Sequence, residues 1–256
     1  MILNNITLKC VDLTKAFGGI HALDHVNFIF KKGKITALVG PNGAGKTTLF
    51  HLITGIIRPD RGEIIYRNKR INNLPSWKIA KLGIGRLFQD VRIFSGLSSI
   101  ENILLSCQDQ FSENPLRSLL WKIFDRKKEK HLINEARTWL DFVGLKEHDK
   151  TQAENLSYGQ QKLLAIARLL AMGSDILLLD EPTSGVHPEM IKRLLEIIRK
   201  LAYDKGKTVV VIEHNISVVI EVADWMFFMD EGKIEASGFP EEVLSNPEVR
   251  AAYIGL

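Results

Sequence analysis

The chain has 256 residues, of which 45% are hydrophobic, and its 34 Lys and Arg residues against 30 Asp and Glu residues give a formal net charge of +4. This hydrophobic content supports a sizeable core, and no apolar run approaches the roughly 20 residues that a bilayer-spanning helix needs. The mild positive excess is not arranged as a basic stripe interleaved with aromatic residues, so nucleic-acid binding is not expected.

The cysteines and the first residues indicate the compartment. Cys10 and Cys107 are far apart and form no metal-ligand spacing, which is typical of a reduced cytosolic protein. The first seven residues lack both a basic stretch and a long apolar segment, so we expect no secretory signal. The small positive charge fits contact with anionic lipid or a protein partner on the cytoplasmic face of a membrane.

The first third of the chain is predicted to form short strands around a glycine-rich loop. Apolar residues that alternate or run continuously indicate strands, and a helical pattern that stops at Gly55 indicates a helix. The predicted strands cover residues 7–13, 26–30, 34–39 and 62–66, and the predicted helix covers residues 45–54.

Residues 89–173 have helical rather than strand character. One helical face is formed by Leu132, Ala136, Trp139, Leu140 and Val143. Within this region, residues 112–130 mix apolar and basic side chains. That pattern fits a solvated helical insert, the commoner arrangement, or a segment lying at a membrane surface.

Strands and helices alternate again after residue 174. Buried strands are predicted at 176–179 and 208–212, a helix at 188–202, and a hairpin at 225–236. Apolar strands that alternate with helices are typical of an α/β protein. We therefore predict a mostly parallel sheet interrupted by a helical insert.

Residues 40–47 match the pattern G-x-x-x-x-G-K-T, placed between a predicted strand and a predicted helix. The glycines let backbone N–H groups point at phosphate oxygens, and the helix adds its positive N-terminal end. Lys46 supplies a charge for the β- and γ-phosphates, Thr47 can ligate Mg²⁺, and Thr48 can reach the α-phosphate side. The predicted nucleotide-binding residues are Gly40, Pro41, Asn42, Gly43, Ala44, Gly45, Lys46, Thr47 and Thr48.

Two carboxylates, Asp180 and Glu181, follow the predicted strand at 176–179. Open α/β sheets bind ligands at the carboxyl ends of their strands, which places this pair beside the phosphate loop. We expect Asp180 to hold Mg²⁺ through water and Glu181 to polarise the water that attacks the γ-phosphate. As an isolated pair, the two carboxylates could instead merely cap the next turn before Pro182.

The segment Leu-Ser-Tyr-Gly-Gln at 156–160 precedes a predicted helix over residues 161–171. Ser157 is a favourable N-cap, Gly159 allows a close backbone approach, and the helix aims its positive end at an anion. An ordinary capped helix would share these features. Together with the phosphate loop and the acidic strand end, however, the segment resembles the signature of ABC (ATP-binding cassette) transporter ATPases.

This resemblance covers nearly the whole chain and implies an ATP-binding and ATP-hydrolysing subunit, with ATP and Mg²⁺ as cofactors, that energises a membrane transporter. The implied fold is a P-loop NTPase (RecA-like) core with a mostly parallel sheet, an N-terminal antiparallel β subdomain and a helical insert subdomain. We expect a single domain over residues 1–256. Its core and β subdomain would cover about 1–89 and 174–256, and its helical subdomain about 90–173.

Further roles come from the resemblance. Ser157, Gly159 and Gln160 would contact ATP held by a second ATPase subunit. Gln89 would join Thr47 and Asp180 as a magnesium-binding residue. The implied catalytic residues are Lys46, Glu181 and His214, of which His214 would bind the γ-phosphate.

Phe17 would stack on adenine, with Ala22 beside the same base. Without the resemblance, Phe17 would be interpreted as a core aromatic residue and His214 as a structural histidine. The chain departs from the family pattern at Tyr158, usually Gly, at His187, usually Asp, and at Asn215, frequently Asp. These departures leave the phosphate and metal contacts in place, and the His187 change bears on how two sites communicate.

One branch, the ATPases of branched-chain amino-acid importers, resembles the chain most. The similar segments are residues 17–23, 156–161 and 212–214, the insert at about 112–130 and the ending at 251–255. The implied partners are membrane subunits, a second identical or paralogous ATPase subunit and, indirectly, a substrate-binding protein. The implied location is cytoplasmic, peripheral on the inner face of the cell membrane.

Other functions remain open from the sequence. ATPases of urea importers and lipid exporters share much of the same background. Non-transport ABC ATPases act on nucleic acid or the ribosome, but they usually have tandem cassettes or a long coiled-coil insertion, and this chain has neither. A nucleotide-gated switch without turnover is disfavoured by the presence of Glu181 and His214.

Overall fold

The computed structural model describes residues 5–107 and 126–254. Residues 112–125 of the basic insert and Gly255 at the end of the chain, which contributed to the resemblance, lie outside the described residues. The chain forms two compact units. The first contains residues 1–89, 175–184 and 195–256, and the second contains residues 90–174 and 185–194.

The strands belong to the first unit. In chain order they are β1 (Ile6–Phe17), β2 (Ile20–Lys31), β3 (Ile35–Val39), β4 (Arg61–Tyr66), β5 (Lys69–Arg70), β6 (Ile84–Leu87), β7 (Ile176–Asp180), β8 (Thr208–Ile212), β9 (Trp225–Asp230) and β10 (Lys233–Gly238).

The α-helices are distributed over both units. In chain order they are α1 (Lys46–Ile53), α2 (Ser76–Lys81), α3 (Ser99–Cys107), α4 (Arg126–Phe142), α5 (Tyr158–Ala171), α6 (Pro188–Tyr203), α7 (Ile216–Val222), α8 (Pro240–Ser245) and α9 (Pro247–Ile254). Over the described ranges, none of the helices combines the length and the apolar character that crossing a membrane requires.

A four-stranded antiparallel sheet has the order β2-β1-β4-β5, which confirms the predicted antiparallel β subdomain. Strands β1 and β2 are 12 residues long, longer than the predicted strands at 7–13 and 26–30. Their pairing shifts register on both sides of Leu13, and Asp12 and His25 adopt left-handed backbone conformations. Such bulges interrupt the apolar alternation from which strand length was predicted.

A six-stranded sheet has the order β10-β9-β3-β8-β7-β6, and only the β9–β10 pair is antiparallel. Every residue of β3, β7 and β8 is buried, as expected for strands covered on both faces. The predicted mostly parallel sheet is therefore confirmed. In this arrangement the carboxyl ends of β3, β8, β7 and β6 lie next to one another.

Helices α3, α4 and α5 pack together in the second unit. Of the five residues of the predicted face, Ala136 and Leu140 on α4 and Val143 just after it are fully buried, whereas Leu132 and Trp139 are partly buried. Helix α5 begins at Tyr158, three residues before the predicted start, because Ser157 caps it. The predicted helix at 188–202 is α6, whose residues Leu194, Leu195, Ile198 and Leu201 are buried as expected.

Candidate functional site

The phosphate loop connects β3 to α1, as the sequence predicted. Gly40, Gly43 and Gly45 have φ angles of 150°, 86° and 98°, in the region that glycine adopts without steric cost. Gly45 occupies the N-cap position of α1, and no side chain there accepts a hydrogen bond from the first N–H groups of the helix. The first N–H groups of α1 have no acceptor within the helix, which suits them to bind an anion.

Close packing explains two of these glycines. A Cβ atom on Gly40 would lie 1.9 Å from the carbonyl oxygen of Met229, and one on Gly45 would lie 2.3 Å from the carbonyl oxygen of Ala22. A Cβ on Gly43 would meet no atom within 4 Å. Strand β9 and Ala22 of β2 therefore support the loop from one side, and Gly43 lies at its open side.

Lys46 is buried at the start of α1. Its Nζ donates to the carbonyl oxygens of Gly40 and Pro41, at 2.7 and 2.8 Å. Burial lowers the pKa of Lys46, while the negative charges of Glu181, Asp180 and Asp230 oppose this effect. The ammonium group is therefore held against the loop and faces carboxylates from β7 and β9.

The Glu181 carboxylate connects two other predicted site residues. Its Oε1 accepts a hydrogen bond from Nε2 of His214 at 3.0 Å, and its Oε2 accepts one from Nε2 of Gln89 at 3.0 Å. A carboxylate can only accept, so Nε2 of His214 carries the hydrogen. Residues that follow β6, β7 and β8 thus converge on one carboxylate, as the strand order requires.

Glu181 has a φ angle of 46°, in the left-handed region that is uncommon for residues other than glycine. Such a conformation costs of the order of 1–3 kcal/mol and persists only where the surrounding structure determines it. The N–H of Glu181 donates to the carbonyl oxygen of Ile212 at 3.0 Å, and its own carbonyl oxygen accepts from the N–H of Ser184 at 3.2 Å. The backbone turn around the carboxylate is thereby fixed at both ends.

Asp180 forms a buried ion pair that sequence reasoning missed. Nη2 of Arg86, on β6, donates to Oδ2 of Asp180 at 2.6 Å, and both side chains are more than nine-tenths buried. Nε and Nη1 of Arg86 have no hydrogen-bond partner among the described residues. The guanidinium lies 5.5 and 4.7 Å from the ring centroids of Phe50 and Phe88, within cation–π range. A charged residue in the otherwise apolar β6 was the signal available in the sequence.

Glu213 was also missed. It follows β8 and is 3% exposed, and its Oε1 accepts hydrogen bonds from the N–H and the hydroxyl of Thr183, at 3.0 and 2.7 Å. A carboxylate at the end of the apolar run 208–212 was its only sequence signal.

Ser157 and Gln160 form a capping box at the start of α5, in the second unit. Oγ of Ser157 accepts from the N–H of Gln160 at 3.3 Å, and Oε1 of Gln160 accepts from the N–H of Ser157 at 2.9 Å. The Gln160 amide also contacts Nε2 of His148 at 3.0 Å. The capping box stabilises the helix start, where Ser157 and Tyr158 are exposed and Gly159 is buried.

Gly159 and Tyr158 pack against the segment 185–190. A Cβ on Gly159 would lie 2.5 Å from Cγ of Met190, so a larger residue would have to displace the Met190 side chain. A Cβ on Gly185 would lie 3.2 Å from the ring of Tyr158, and Nζ of Lys162 lies 5.0 Å from the centroid of the same ring. The tyrosine that replaces the usual glycine thus covers the backbone of Gly185.

The remaining predicted residues have the following places. Phe17 ends β1 and is 49% exposed, so the interpretation as a core aromatic residue is wrong. Nζ of Lys15 lies 5.3 Å from its ring centroid. Asn215 caps α7 by accepting from the N–H groups of Ser217 and Val218, at 3.0 and 3.5 Å. His187 is exposed at the start of α6.

The comparisons with known proteins agree with this fold. The ABC transporter family model matches residues 23–184. The chain is 38% identical to LivG of Salmonella typhimurium, a high-affinity branched-chain amino acid transport ATP-binding protein, over 95% of each chain. It is 37% identical to BraF of Pseudomonas aeruginosa, of the same description, over 97% of each chain.

Solved structures give the same result. The ADP conformation of MJ1267, an ATP-binding cassette of an ABC transporter, superimposes with a TM-score of 0.85 and 34% identity, covering 98% of this chain and 99% of that one. A dimeric post-hydrolysis state of the cassette MJ0796, bound to ADP and Pi, superimposes with a TM-score of 0.74 and 28% identity, covering 91% and 98%.

The parallel sheet, the phosphate loop and the carboxylates at the ends of the strands define a nucleotide-hydrolysing P-loop protein. Its sequence matches narrow the class further: the chain belongs to the ABC transporter family, as an ATP-binding subunit. It is an ATPase, and its partners are the membrane components of a transporter.

Because the Arg86–Asp180 pair is buried, loss of Arg86 should destabilise the protein more than loss of an arginine from an exposed ion pair. We expect Arg86→Met to lower the free energy of unfolding by about 3–5 kcal/mol, because Asp180 would be left buried without its cation. The control is Arg70→Met, which removes the exposed pair with Glu63 and should cost at most about 1 kcal/mol. Urea unfolding of both variants provides the measurement. Equal, small losses would contradict the assignment of a buried pair.

Proposed function

We propose that this chain hydrolyses ATP at a site built by the phosphate loop, Glu181 and His214, and that the hydrolysis drives import of branched-chain amino acids. The observation that supports the site most strongly is the Glu181 carboxylate, held between Gln89 and His214. A carboxylate fixed by two donors is suited to orient a water molecule.

The chain's own groups account for phosphate binding. The loop N–H groups and Lys46 surround the phosphates, and Lys46 neutralises charge that develops on the terminal phosphate. Lys46 needs only to exchange its contacts with the carbonyl oxygens of Gly40 and Pro41 for phosphate oxygens. Phe17, half-exposed at the end of β1, would stack on the adenine beside Ala22.

Glu181 would accept a proton from the attacking water. His214 donates to the same carboxylate, and after binding of ATP its Nε2–H would donate to the γ-phosphate. Both residues follow paired strands, so their separation is set by the sheet rather than by flexible loops. Their role is to position water and phosphate in line.

The available oxygen donors fit Mg²⁺. Thr47 offers a hydroxyl, Asp180 a carboxylate whose Oδ1 is not used by the pair with Arg86, and Gln89 an amide oxygen. No group of three or more His, Cys, Asp or Glu residues able to hold a metal is found among the described residues. The ion would therefore also need phosphate oxygens, as is usual for Mg²⁺. When bound, it would neutralise phosphate charge.

Each site would be completed by a second subunit. The capped start of α5 presents Ser157, Gly159 and Gln160 as an N-terminal helix end, which favours an anion. These residues would contact the γ-phosphate of ATP held by the phosphate loop of the partner. Loss of that phosphate on hydrolysis removes the shared contacts and allows the subunits to separate.

The transported substrate is inferred from the relatives, whose names specify branched-chain amino-acid transport. We infer that membrane subunits and a substrate-binding protein select the amino acid, and that this chain works on the cytoplasmic face of the membrane. The division into a core at about 1–89 and 174–256 and a helical part at about 90–173 remains part of this proposal.

Glu181→Gln tests the catalytic assignment. Glutamine keeps the size of the side chain but is far less able to take up a proton. We expect turnover to fall about 10²- to 10⁴-fold while ATP binding stays within a few-fold of the wild type. Phosphate release and binding of a fluorescent ATP analogue are the measurements. Near-normal hydrolysis would remove Glu181 from the mechanism.

Ser157→Asp and Ser157→Asn form a matched pair that tests the shared site. Both side chains cap a helix as well as serine does, so the stability of α5 should be unchanged. Only the aspartate places a negative charge opposite the partner's γ-phosphate. Hydrolysis should be lost in the Asp variant and largely retained in the Asn variant, with nucleotide binding by the isolated chain intact in both. Full hydrolysis by the Asp variant would refute the shared site.

Reconstitution tests the transport assignment. The chain, purified with its membrane subunits and placed in liposomes with the binding protein, should drive ATP-dependent uptake of leucine, isoleucine or valine. Uptake should be absent with Glu181→Gln. Uptake of urea instead, or ATPase activity stimulated by nucleic acid in the absence of membrane subunits, would overturn this assignment.

A further inference from the structure

Ile212, the last residue of β8, and the two residues that follow it bind the turn that contains Glu181. The carbonyl oxygen of Ile212 accepts from the N–H of Glu181, the carboxylate of Glu213 accepts from Thr183, and His214 donates to the side chain of Glu181. Consecutive residues of one strand end thus hold the backbone on both sides of Pro182 and the side chain of Glu181.

Glu213 makes the contact that lies farthest along this turn. Thr183 is 7% exposed, and both its N–H and its hydroxyl donate to Oε1 of Glu213. Hydrogen bonds to an ionised acceptor are stronger than those between neutral groups. A carboxylate buried to this degree is costly unless its hydrogen bonds are made, so its position here calls for a role beyond filling space.

The left-handed conformation of Glu181 indicates what this role is, because a strained turn needs neighbouring residues that hold it in place. A non-glycine residue at φ 46° tends to relax towards a common backbone conformation unless its neighbours are held. Relaxation would rotate the carboxylate away from Gln89 and His214. The turn closed by the N–H of Ser184 on the carbonyl oxygen of Glu181 includes Thr183, so anchoring Thr183 anchors the turn.

We propose that Glu213 is a positioning residue for ATP hydrolysis, which keeps Glu181 in its strained conformation by anchoring Thr183. The proposal rests on the catalytic role proposed above for Glu181. It concerns the rate of hydrolysis rather than nucleotide affinity, because Glu213 binds the turn after β7 and not the phosphate loop.

The test replaces Glu213 by Leu and by Gln. Leucine removes the acceptor, and we expect kcat to fall about 10- to 100-fold, since a misplacement of roughly 1 Å can cost about 10²-fold. The KM for ATP should stay within a few-fold of the wild type. Glutamine keeps an acceptor oxygen and should restore most of kcat. Glu235→Leu, an exposed glutamate on β10 of the same sheet, is the control and should leave kcat unchanged.

A double variant separates positioning from a general loss of structure. If Glu213 acts through Glu181, Glu181→Gln combined with Glu213→Leu should hydrolyse ATP no more slowly than Glu181→Gln alone. A further loss equal to that seen in the wild-type background would overturn the proposal, as would an unchanged kcat in Glu213→Leu. Failure of the catalytic role itself would be recognised separately, by full activity in Glu181→Gln alone.

Thr183→Val covers the case in which Glu213→Leu does not fold. This variant removes the hydroxyl donor and keeps the N–H, and it alters the same contact from the other side. We expect kcat to fall less than in Glu213→Leu, and the KM for ATP to stay unchanged. In the Glu181→Gln background, Thr183→Val should cause no further fall in kcat. Wild-type kcat in Thr183→Val, or a fall that persists in that background, would count against the proposal.

Discussion

The parallel pairing of β7 with β8 is the constraint on which the site depends. Asp180 pairs with Ile212, so the residues that follow the two strands leave the sheet side by side and in the same direction. Ile212 also pairs with Leu38 of β3 on its other side, which places the phosphate loop next to the same strand end. A register slip of one residue would reverse the faces of β7. The carboxylates of Asp180 and Glu181 would then move away from their hydrogen-bond partners.

Charged side chains of opposite sign lie around these strand ends. Arg86 neutralises Asp180 within the sheet, and Lys46 faces the carboxylates from the loop side. Burial and the charge of Arg86 lower the pKa of His51, while the negative charge of Asp180 opposes this effect. The two cations therefore have different partners: Arg86 pairs with a buried carboxylate, and Lys46 donates to carbonyl oxygens of the phosphate loop.

Motifs made of neighbouring residues could be predicted from the sequence, whereas contacts between residues far apart in the chain could not. The phosphate loop and the Asp180–Glu181 pair are encoded by neighbouring residues, whereas Arg86 and Asp180 are separated by 94 positions, and Thr183 and Glu213 by 30. Helices α2 and α8 have six residues each, too few for a helical period to stand out. Long-range pairing therefore decides the details of the site, and no short window of sequence contains that information.

The departure from the family pattern at Tyr158 lies in a packed region of the second unit. The ring of Tyr158 covers Gly185, and Gly159 leaves room for Met190, so the start of α5 and the segment 185–190 are built to fit one another. A glycine at 158 would leave the face of Gly185 uncovered, so the tyrosine supplies packing within the second unit while Ser157 beside it stays exposed.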